Sequence, residues 1–145
     1  MRLFVWGTGR LAGKVVGKYI AAESVTAFID NNPDKKEYMG RQVLSPKEAA
    51  ESEYDAVVVI NLYSREIYRQ CEQIGMDLAK VIFLYNNCML WDLNRDYEFV
   101  ERVLGADYAA AVKNRYRVIR GVEAYGDLFL KNDFQMICAG GVFAE

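Results

Sequence analysis

The chain has 145 residues, of which 52% are hydrophobic and 13% aromatic, and its formal net charge is −2. This composition excludes a disordered chain and indicates one folded domain with an appendage. The charge gives no general attraction to nucleic acid or anionic lipid, and no apolar run approaches the ~18 residues of a membrane span. We expect a cytoplasmic protein, because the N-terminus lacks a signal-peptide pattern.

Histidine is absent, and the three cysteines, Cys71, Cys88 and Cys138, are widely spaced. The commonest general base, the Ser–His and Cys–His pairs and most zinc sites are therefore excluded. Three scattered cysteines fit no disulfide framework and favour reduced thiols. We predict no metal site and no catalytic residue in this chain alone, and whether it is an enzyme stays open.

The first thirty residues follow a strand–turn–helix–strand pattern. The apolar run Leu3–Trp6 enters Gly7-Thr8-Gly9, a helix is predicted over Arg10–Ala22, and a second apolar run, Val25–Ile29, ends on Asp30. The glycines and Ala12 satisfy G-x-G-x-x-A, and Asp30 lies 23 residues after Gly7. A dinucleotide-binding βαβ unit has this order, with an acid about 20 residues after the glycines.

Each residue type in the pattern has a physical role in nucleotide binding. Glycine permits a tight turn, and the N-terminus of the following helix attracts phosphate. We predict that five residues hold phosphate oxygens and that Asp30 binds ribose hydroxyls, which favours NAD over NADP. Three more residues would line the base and sugar. The alternative is a fold that keeps its glycines for packing and binds nothing. The predicted phosphate contacts are Gly7, Thr8, Gly9, Arg10 and Leu11, and the lining residues are Asn31, Asn61 and Tyr63.

Strands and helices continue to alternate after Asp30. Residues 31–36 form a turn-rich string, and 38–44 read as a loop or a short β excursion. Ser45, Pro46 and Glu48 predict a capped helix start. A third strand is predicted over Asp55–Ile60, then a helix capped by Ser64 and ended by Gly75, and then a fourth strand over Val81–Leu84.

This alternation predicts an α/β fold, a Rossmann-like doubly wound parallel sheet. The expected strand order is 3-2-1-4, or one strand longer if another follows, with the ligand beyond the carboxyl ends of the strands. We assign residues 1–88 to this domain. Residues 89–145 form a mainly helical extension, with helices over 92–104 and 106–125 broken at Gly105, and a strand over 134–139 that would open a truncated further domain.

Four strings in order carry a family resemblance: Val5–Gly13, Ala27–Pro33, Gly40–Pro46 and Tyr54–Val59. Residues 2–85 resemble the Rossmann-like front domain of FkbM-type methyltransferases and CapD-like sugar-nucleotide epimerase/dehydratases. The resemblance implies a cytoplasmic bacterial protein of surface-polysaccharide or nucleotide-sugar biosynthesis. The Tyr-x-x-x-Lys signature of the dehydratases is missing, and the chain is too short to hold a complete methyltransferase domain.

Three hypotheses arise from the sequence. The preferred one is a domain that binds NAD, or another nucleotide or nucleotide sugar, without being catalytic alone. The second is a non-catalytic interaction module that forms a homodimer or orients a neighbouring domain, with the helical region after residue 90 as its contact surface. The third is the front part of a longer enzyme, either a methyltransferase that uses S-adenosylmethionine or a nucleotide-sugar oxidoreductase with a downstream catalytic domain.

Overall fold

Six strands form one mixed, mostly parallel sheet in the computed structural model, which describes residues 1–84, 97–107 and 109–110. The chain divides into two compact units, Met1–Leu84 and Tyr85–Glu145, and the sheet belongs to the first. The α/β class predicted from the sequence is confirmed. No helix in the described part of the chain is both long and apolar enough to cross a bilayer.

The sheet has the order β3-β4-β2-β1-β5-β6. Five of its strands run parallel to their neighbours, and only β3 at the edge is antiparallel, to β4. The strands are β1 Leu3–Trp6, β2 Val25–Ile29, β3 Glu37–Tyr38, β4 Arg41–Leu44, β5 Ala56–Val59 and β6 Val81–Phe83.

The core lies along the three central strands of the parallel sheet. Every residue of β1 and β5 is buried, and so is every residue of β2 except Thr26. A strand covered on both faces has a continuous apolar sequence instead of an alternating one, which explains the run from Ala56 to Val59. The largest fully buried side chains include Trp6, Phe28 and Ile82.

The predicted strand order was wrong for the third strand. The predicted third strand, Asp55–Ile60, was expected to pair with the second strand. Its residues instead form β5, which pairs with β1 on the side away from β2. The neighbour of β2 is β4, within the segment predicted as a loop or a short β excursion. Only two residue pairs join β2 to β4, Phe28 with Val43 and Ile29 with Leu44. β4 begins with two polar residues and buries only Val43, so it lacks the continuous apolar run of β1 and β5.

Three α-helices accompany the sheet in the first unit: α1 Arg10–Val15, α2 Pro46–Glu51 and α3 Ser64–Ile74. The predicted start of α2 is confirmed, since the Ser45 hydroxyl accepts the Glu48 N–H at 3.2 Å and the Glu48 carboxylate accepts the Ser45 N–H at 2.7 Å. These bonds lower the pKa of Glu48. Two single-turn 3₁₀ helices, Ala22–Ser24 and Leu78–Lys80, precede β2 and β6.

Helix α3 ends at Gly75 as predicted, with that glycine in the left-handed conformation at φ +74°. Its start differs from the prediction, because Tyr63 occupies the N-cap and the Ser64 hydroxyl donates to the Asn61 carbonyl at 2.9 Å. Cys71 of this helix is fully buried, and burial raises the pKa of its thiol to about 12. Such a thiol is inert toward oxidation and metal binding.

Helix α1 is much shorter than the predicted Arg10–Ala22. It ends at Val15 because Val16 is already extended, at φ −73° and ψ 126°, and Gly17 follows with φ +97° and donates its N–H to the Ile20 carbonyl at 2.6 Å. A left-handed residue cannot continue a right-handed helix. Glycine adopts that conformation at little steric cost, so the apolar helical spacing beyond Val15 was misleading.

The second unit is described over residues 97–107 and 109–110. Helix α4, Tyr97–Leu104, buries Val100, and Gly105 at φ +93° breaks the helical run as predicted. Residues 106–107 and 109–110 are helical again. The rest of the two predicted helices and the predicted strand over 134–139 lie outside the described residues.

Candidate functional site

Residues 7–9, which we call the glycine turn, bring three strand ends together at the carboxyl edge of the sheet. The Gly7 N–H donates to the carbonyl of Ile29, which ends β2, at 3.0 Å, and the Ile60 N–H, just after β5, donates to the Trp6 carbonyl at 2.9 Å. These bonds fix the glycine turn between the ends of β2 and β5. Parallel α/β sheets bind their ligands at this edge.

Gly7 is required by the fold itself. Its φ is +139°, and a Cβ at this position would lie 2.5 Å from the Ile60 carbonyl oxygen. No side chain fits that space without moving the backbone of the chain after β5. Packing therefore explains the first glycine of the motif. The alternative of a fold that keeps its glycines for packing and binds nothing makes the same prediction for this residue.

Gly9 differs from Gly7 in both backbone conformation and surroundings. Its φ is −102°, an ordinary extended value, and a Cβ there would meet no atom within 4 Å. Neither backbone strain nor packing demands a glycine. The space beside the Gly9 backbone, where a Cβ would lie, is therefore open.

Unpaired amides occur at Gly9 and in the first two residues of α1. Within the described part of the chain, the N–H groups of Gly9, Arg10 and Leu11 have no hydrogen-bond acceptor, and α1 has no side-chain cap. The N-terminal amides of any helix lack internal partners and are satisfied by side chains, water or ligands. The Arg10 side chain is exposed beside them and Leu11 is half-buried.

Asp30 faces the glycine turn. The hydroxyl of Thr8, which is 5% exposed, donates to one carboxylate oxygen, and the Asn32 N–H donates to the other at 2.7 Å. The Asp30 N–H is itself held by the Leu44 carbonyl of β4 at 3.1 Å. Hydrogen bonds to a charged acceptor are among the stronger ones in proteins. Each carboxylate oxygen keeps a second lone pair for a further donor.

The Asn31 side chain contacts α3 and not the glycine turn. Its amide pairs reciprocally with that of Gln70, at 3.2 Å and 2.7 Å. No pattern in the sequence indicates this pairing across 39 positions. The structure thus brings Gly7, Thr8, Gly9 and Asp30 into one cluster, whereas Asn31 links the loop after β2 to a helix.

The loop after β5 presents an apolar surface at the same edge. The Asn61 side chain accepts the Tyr63 N–H at 2.7 Å, which closes a tight turn. Leu62 and Tyr63, just beyond it, are 72% and 69% exposed. Exposed large apolar side chains beside a cluster of polar groups are typical of binding surfaces.

Sequence reasoning missed Tyr38, whose hydroxyl donates to the Gly9 carbonyl at 2.9 Å. This side chain reaches the glycine turn from the β3–β4 hairpin, 29 positions away in sequence. Its aromatic character is the only signal in the sequence, and that signal does not indicate which element it contacts.

A cleft of about 710 Å³ lies at the opposite edge of the sheet. Its lining comes from residues that precede the strands, including Arg2, Asp55 and Lys80, and an exposed Arg2–Glu53 ion pair of 3.0 Å borders it. Ligands of parallel α/β sheets bind at the carboxyl edge, so the glycine turn is the stronger candidate. The described residues contain no group of three or more Cys, Asp or Glu placed to hold a metal ion.

A family model described as C2185-like, N-terminal, matches residues 1–82, more than half of the chain. The chain belongs to this family. The matched segment covers every strand of the sheet except the last residue of β6, and therefore the whole of the glycine turn and Asp30. No curated protein matches the chain.

Replacing each of the two glycines by alanine should separate their roles. We expect Gly7→Ala to lower the free energy of unfolding by about 2 kcal/mol or more, from unfavourable φ and the clash with Ile60. Gly9→Ala should lower it by about 1 kcal/mol or less, because Gly9 is the N-cap of α1 and alanine is a poorer cap. Urea denaturation of both variants measures this, and equal losses would contradict the assignment.

Proposed function

We propose that residues 1–84 form a Rossmann-like domain that binds a nucleotide of the NAD type at the carboxyl edge of the sheet. The observation that carries the proposal is the glycine turn, which has unpaired amides, open space over Gly9 and the Asp30 carboxylate facing it. The domain would bind its ligand without being catalytic on its own.

The strand arrangement supports this proposal. The five parallel strands have the spatial order β4-β2-β1-β5-β6. If the antiparallel edge strand β3 is left out and the other five strands are numbered in chain order, the sheet has the order 3-2-1-4-5. The first five strands of a dinucleotide-binding fold have the same order. The reversal point lies between β1 and β5, which is where the glycine turn and the Asn61 loop meet.

A pyrophosphate fits the groups around the turn. The amides of Gly9, Arg10 and Leu11 are the donors in need of acceptors, and the exposed Arg10 guanidinium adds charge. Because α1 has only 6 residues, its macrodipole contributes less than the sequence led us to expect. The attraction would come mainly from individual N–H groups, aided by the close approach that Gly9 permits.

Asp30 would accept the ribose hydroxyls. Thr8 and Asn32 already orient the carboxylate, so it needs no rearrangement to accept further donors. A 2′-phosphate at the same place would meet a like charge, which favours NAD over NADP. Asn61 and Tyr63 lie at the rim, where an adenine could contact the exposed aromatic ring.

The resemblance to the front domains of FkbM-type and CapD-like proteins extends the proposal to nucleotide sugars. Their diphosphate and ribose are chemically similar to those of NAD, so the same turn and the same acid would serve. We propose a place in bacterial surface-polysaccharide biosynthesis on that basis, with catalysis supplied by a further domain or a partner.

Thermal melts against NAD, NADP, S-adenosylmethionine and a UDP-sugar test the proposal. At ten times the dissociation constant, a bound nucleotide should raise the melting temperature by about 4 °C. Gly9→Leu should abolish the shift and lower the ligand-free melting temperature by only about 4 °C, because a Cβ there meets no atom within 4 Å and the remaining cost is that of a poorer N-cap.

The matched control is Gly9→Ala, whose smaller side chain should weaken the shift less than leucine does. If none of the four ligands shifts the wild-type chain, nucleotide binding is refuted. If Gly9→Leu keeps a full shift, the ligand binds elsewhere and the glycine turn is not the site.

Removing the charge of Asp30 should reduce cofactor discrimination. We expect Asp30→Asn to weaken NAD binding about tenfold, because a neutral acceptor forms weaker hydrogen bonds, and to leave NADP binding unchanged or improved. Isothermal titration of both cofactors measures the change. Asp34→Asn, in the same exposed loop, makes the identical charge change away from the turn, and an equal loss of NAD binding there would contradict a direct role for Asp30.

A second candidate function is a non-catalytic interaction module. The observation that favours it is the exposure of Leu62 and Tyr63, two large apolar side chains adjacent in sequence. Aromatic side chains such as that of Tyr63 are enriched at the buried centres of protein interfaces.

Multi-angle light scattering over a range of concentrations tests this second function. If the pair mediates self-association, the double change Leu62→Ser and Tyr63→Ser should shift the chain to a monomer. Met39→Ser removes another exposed apolar side chain, 47% exposed, from a different edge and should have no effect. A wild-type chain that stays monomeric at all concentrations would exclude a homodimer.

A further inference from the structure

Tyr38 is held rigidly beside the glycine turn. Its ring packs edge-on against Phe28 of β2, with 4.8 Å between ring centroids and 80° between planes, and the Lys35 ammonium lies 5.5 Å from the ring centre. The hydroxyl donates to the Gly9 carbonyl at 2.9 Å. The ring is thus fixed to the sheet and its hydroxyl to the turn, so the side chain joins the two.

The hairpin that carries Tyr38 is built for this position. Met39 at φ +50° and Gly40 at φ +73° make the tight turn between β3 and β4, and β4 pairs directly with β2. Tyr38 is therefore attached, through β4, to the strand that immediately precedes Asp30. Burial raises the pKa of Tyr38, which keeps its hydroxyl protonated and able to donate.

Gly9, whose carbonyl Tyr38 contacts, has no side-chain packing to hold it in place. Gly9 has no side chain, and no neighbour lies where one would be. Its carbonyl accepts two hydrogen bonds, one from Tyr38 and one from the Gly13 N–H at 3.2 Å. A trans peptide is planar, so fixing the Gly9 carbonyl also fixes the direction of the Arg10 N–H on the opposite side of the same plane.

We infer that Tyr38 is a positioning residue, which holds the Gly9–Arg10 peptide so that the unpaired Arg10 N–H points to the open side of the glycine turn. Tyr38 would keep the proposed nucleotide site in shape before any ligand arrives, and its role in binding rests on that proposed function. Preorganised donors lower the entropic cost of binding.

Tyr38→Phe tests the inference in the full chain without ligand. The phenylalanine keeps the contact with Phe28 and removes only the hydroxyl. We expect the ¹⁵N order parameters of Gly9 and Arg10 to fall from about 0.85, typical of rigid backbone, toward about 0.6. Unchanged order parameters at both residues would overturn the inference.

Tyr54→Phe is the matched control. Tyr54 is also half-buried, lies against a phenylalanine with 5.8 Å between centroids, has a lysine 5.4 Å from its ring, and hydrogen-bonds a backbone group, the Asp77 N–H, at 3.1 Å. It stands at the opposite edge of the sheet. Both variants should lose similar stability, but only Tyr38→Phe should loosen the turn, and equal loosening by Tyr54→Phe would overturn the inference.

Titration with NAD and with inorganic pyrophosphate separates the inference from the proposed function. If the wild-type chain binds them, Tyr38→Phe should bind about 3- to 10-fold more weakly, the usual effect of one hydrogen bond, and Tyr54→Phe should bind normally. Equal binding by wild type and Tyr38→Phe would overturn the inference. If the wild-type chain binds neither probe while the order parameters still fall, Tyr38 does position the turn and the proposed function fails.

Gly13→Ala disturbs the same contact from the other side. A Cβ at Gly13 would lie 3.3 Å from the Tyr38 hydroxyl oxygen, closer than ordinary contact. Alanine otherwise favours a helix, so the variant should fold. It should displace the hydroxyl and lower the order parameters of Gly9 and Arg10 as Tyr38→Phe does, and rigid amides in both variants would leave Tyr38 without a positioning role.

Discussion

The first unit depends on the close approach of Gly7 to the Ile60 carbonyl. Without a Cβ, the chain can leave β1 so near the end of β5 that a methyl group would lie 2.5 Å from that oxygen. The Gly7 N–H completes the arrangement by binding the end of β2 at 3.0 Å. Three strands thereby end at one place, which is why Asp30, Thr8 and the Asn61 loop share an edge of the sheet.

The two glycines show why a motif is ambiguous as a sign of function. Gly7 is explained completely by packing and φ, so it would be needed in a domain that binds nothing. Gly9 has ordinary φ and an empty surrounding, so packing gives no reason for it. Gly9 is the N-cap of α1, where glycine is favoured over alanine and larger apolar residues, and the open space beside it would let a ligand approach the backbone closely. In this protein the case for a ligand therefore rests on Gly9.

Local patterns were predictable from the sequence, and pairings between distant residues were not. The bounds of β1 and β2, the capping box at Ser45 and the stop at Gly75 follow from neighbouring residues. Strand β4 buries only Val43 and begins with two polar residues, so its sequence does not indicate that it pairs with β2. Helix α1 ends just before Gly17, which has positive φ. Glycine also occurs at negative φ, so its presence in the sequence does not show where a helix ends. Within the candidate site, the sequence predicted the glycine turn and Asp30. The Tyr38–Gly9 hydrogen bond and the Asn31–Gln70 pair join distant residues, so they could be identified only from the structure.

The hydrogen bonds around Asp30 decide which part of a ligand would contribute most. Its carboxylate is already satisfied by Thr8 and Asn32, so the fold needs no ligand to stabilise that charge. The amides at the turn lack such partners within the described residues. Binding of an anion there would replace water at donors that nothing else uses, whereas a ribose would only add to an acceptor in use. The phosphates should therefore supply most of the affinity, and Asp30 the choice among nucleotides.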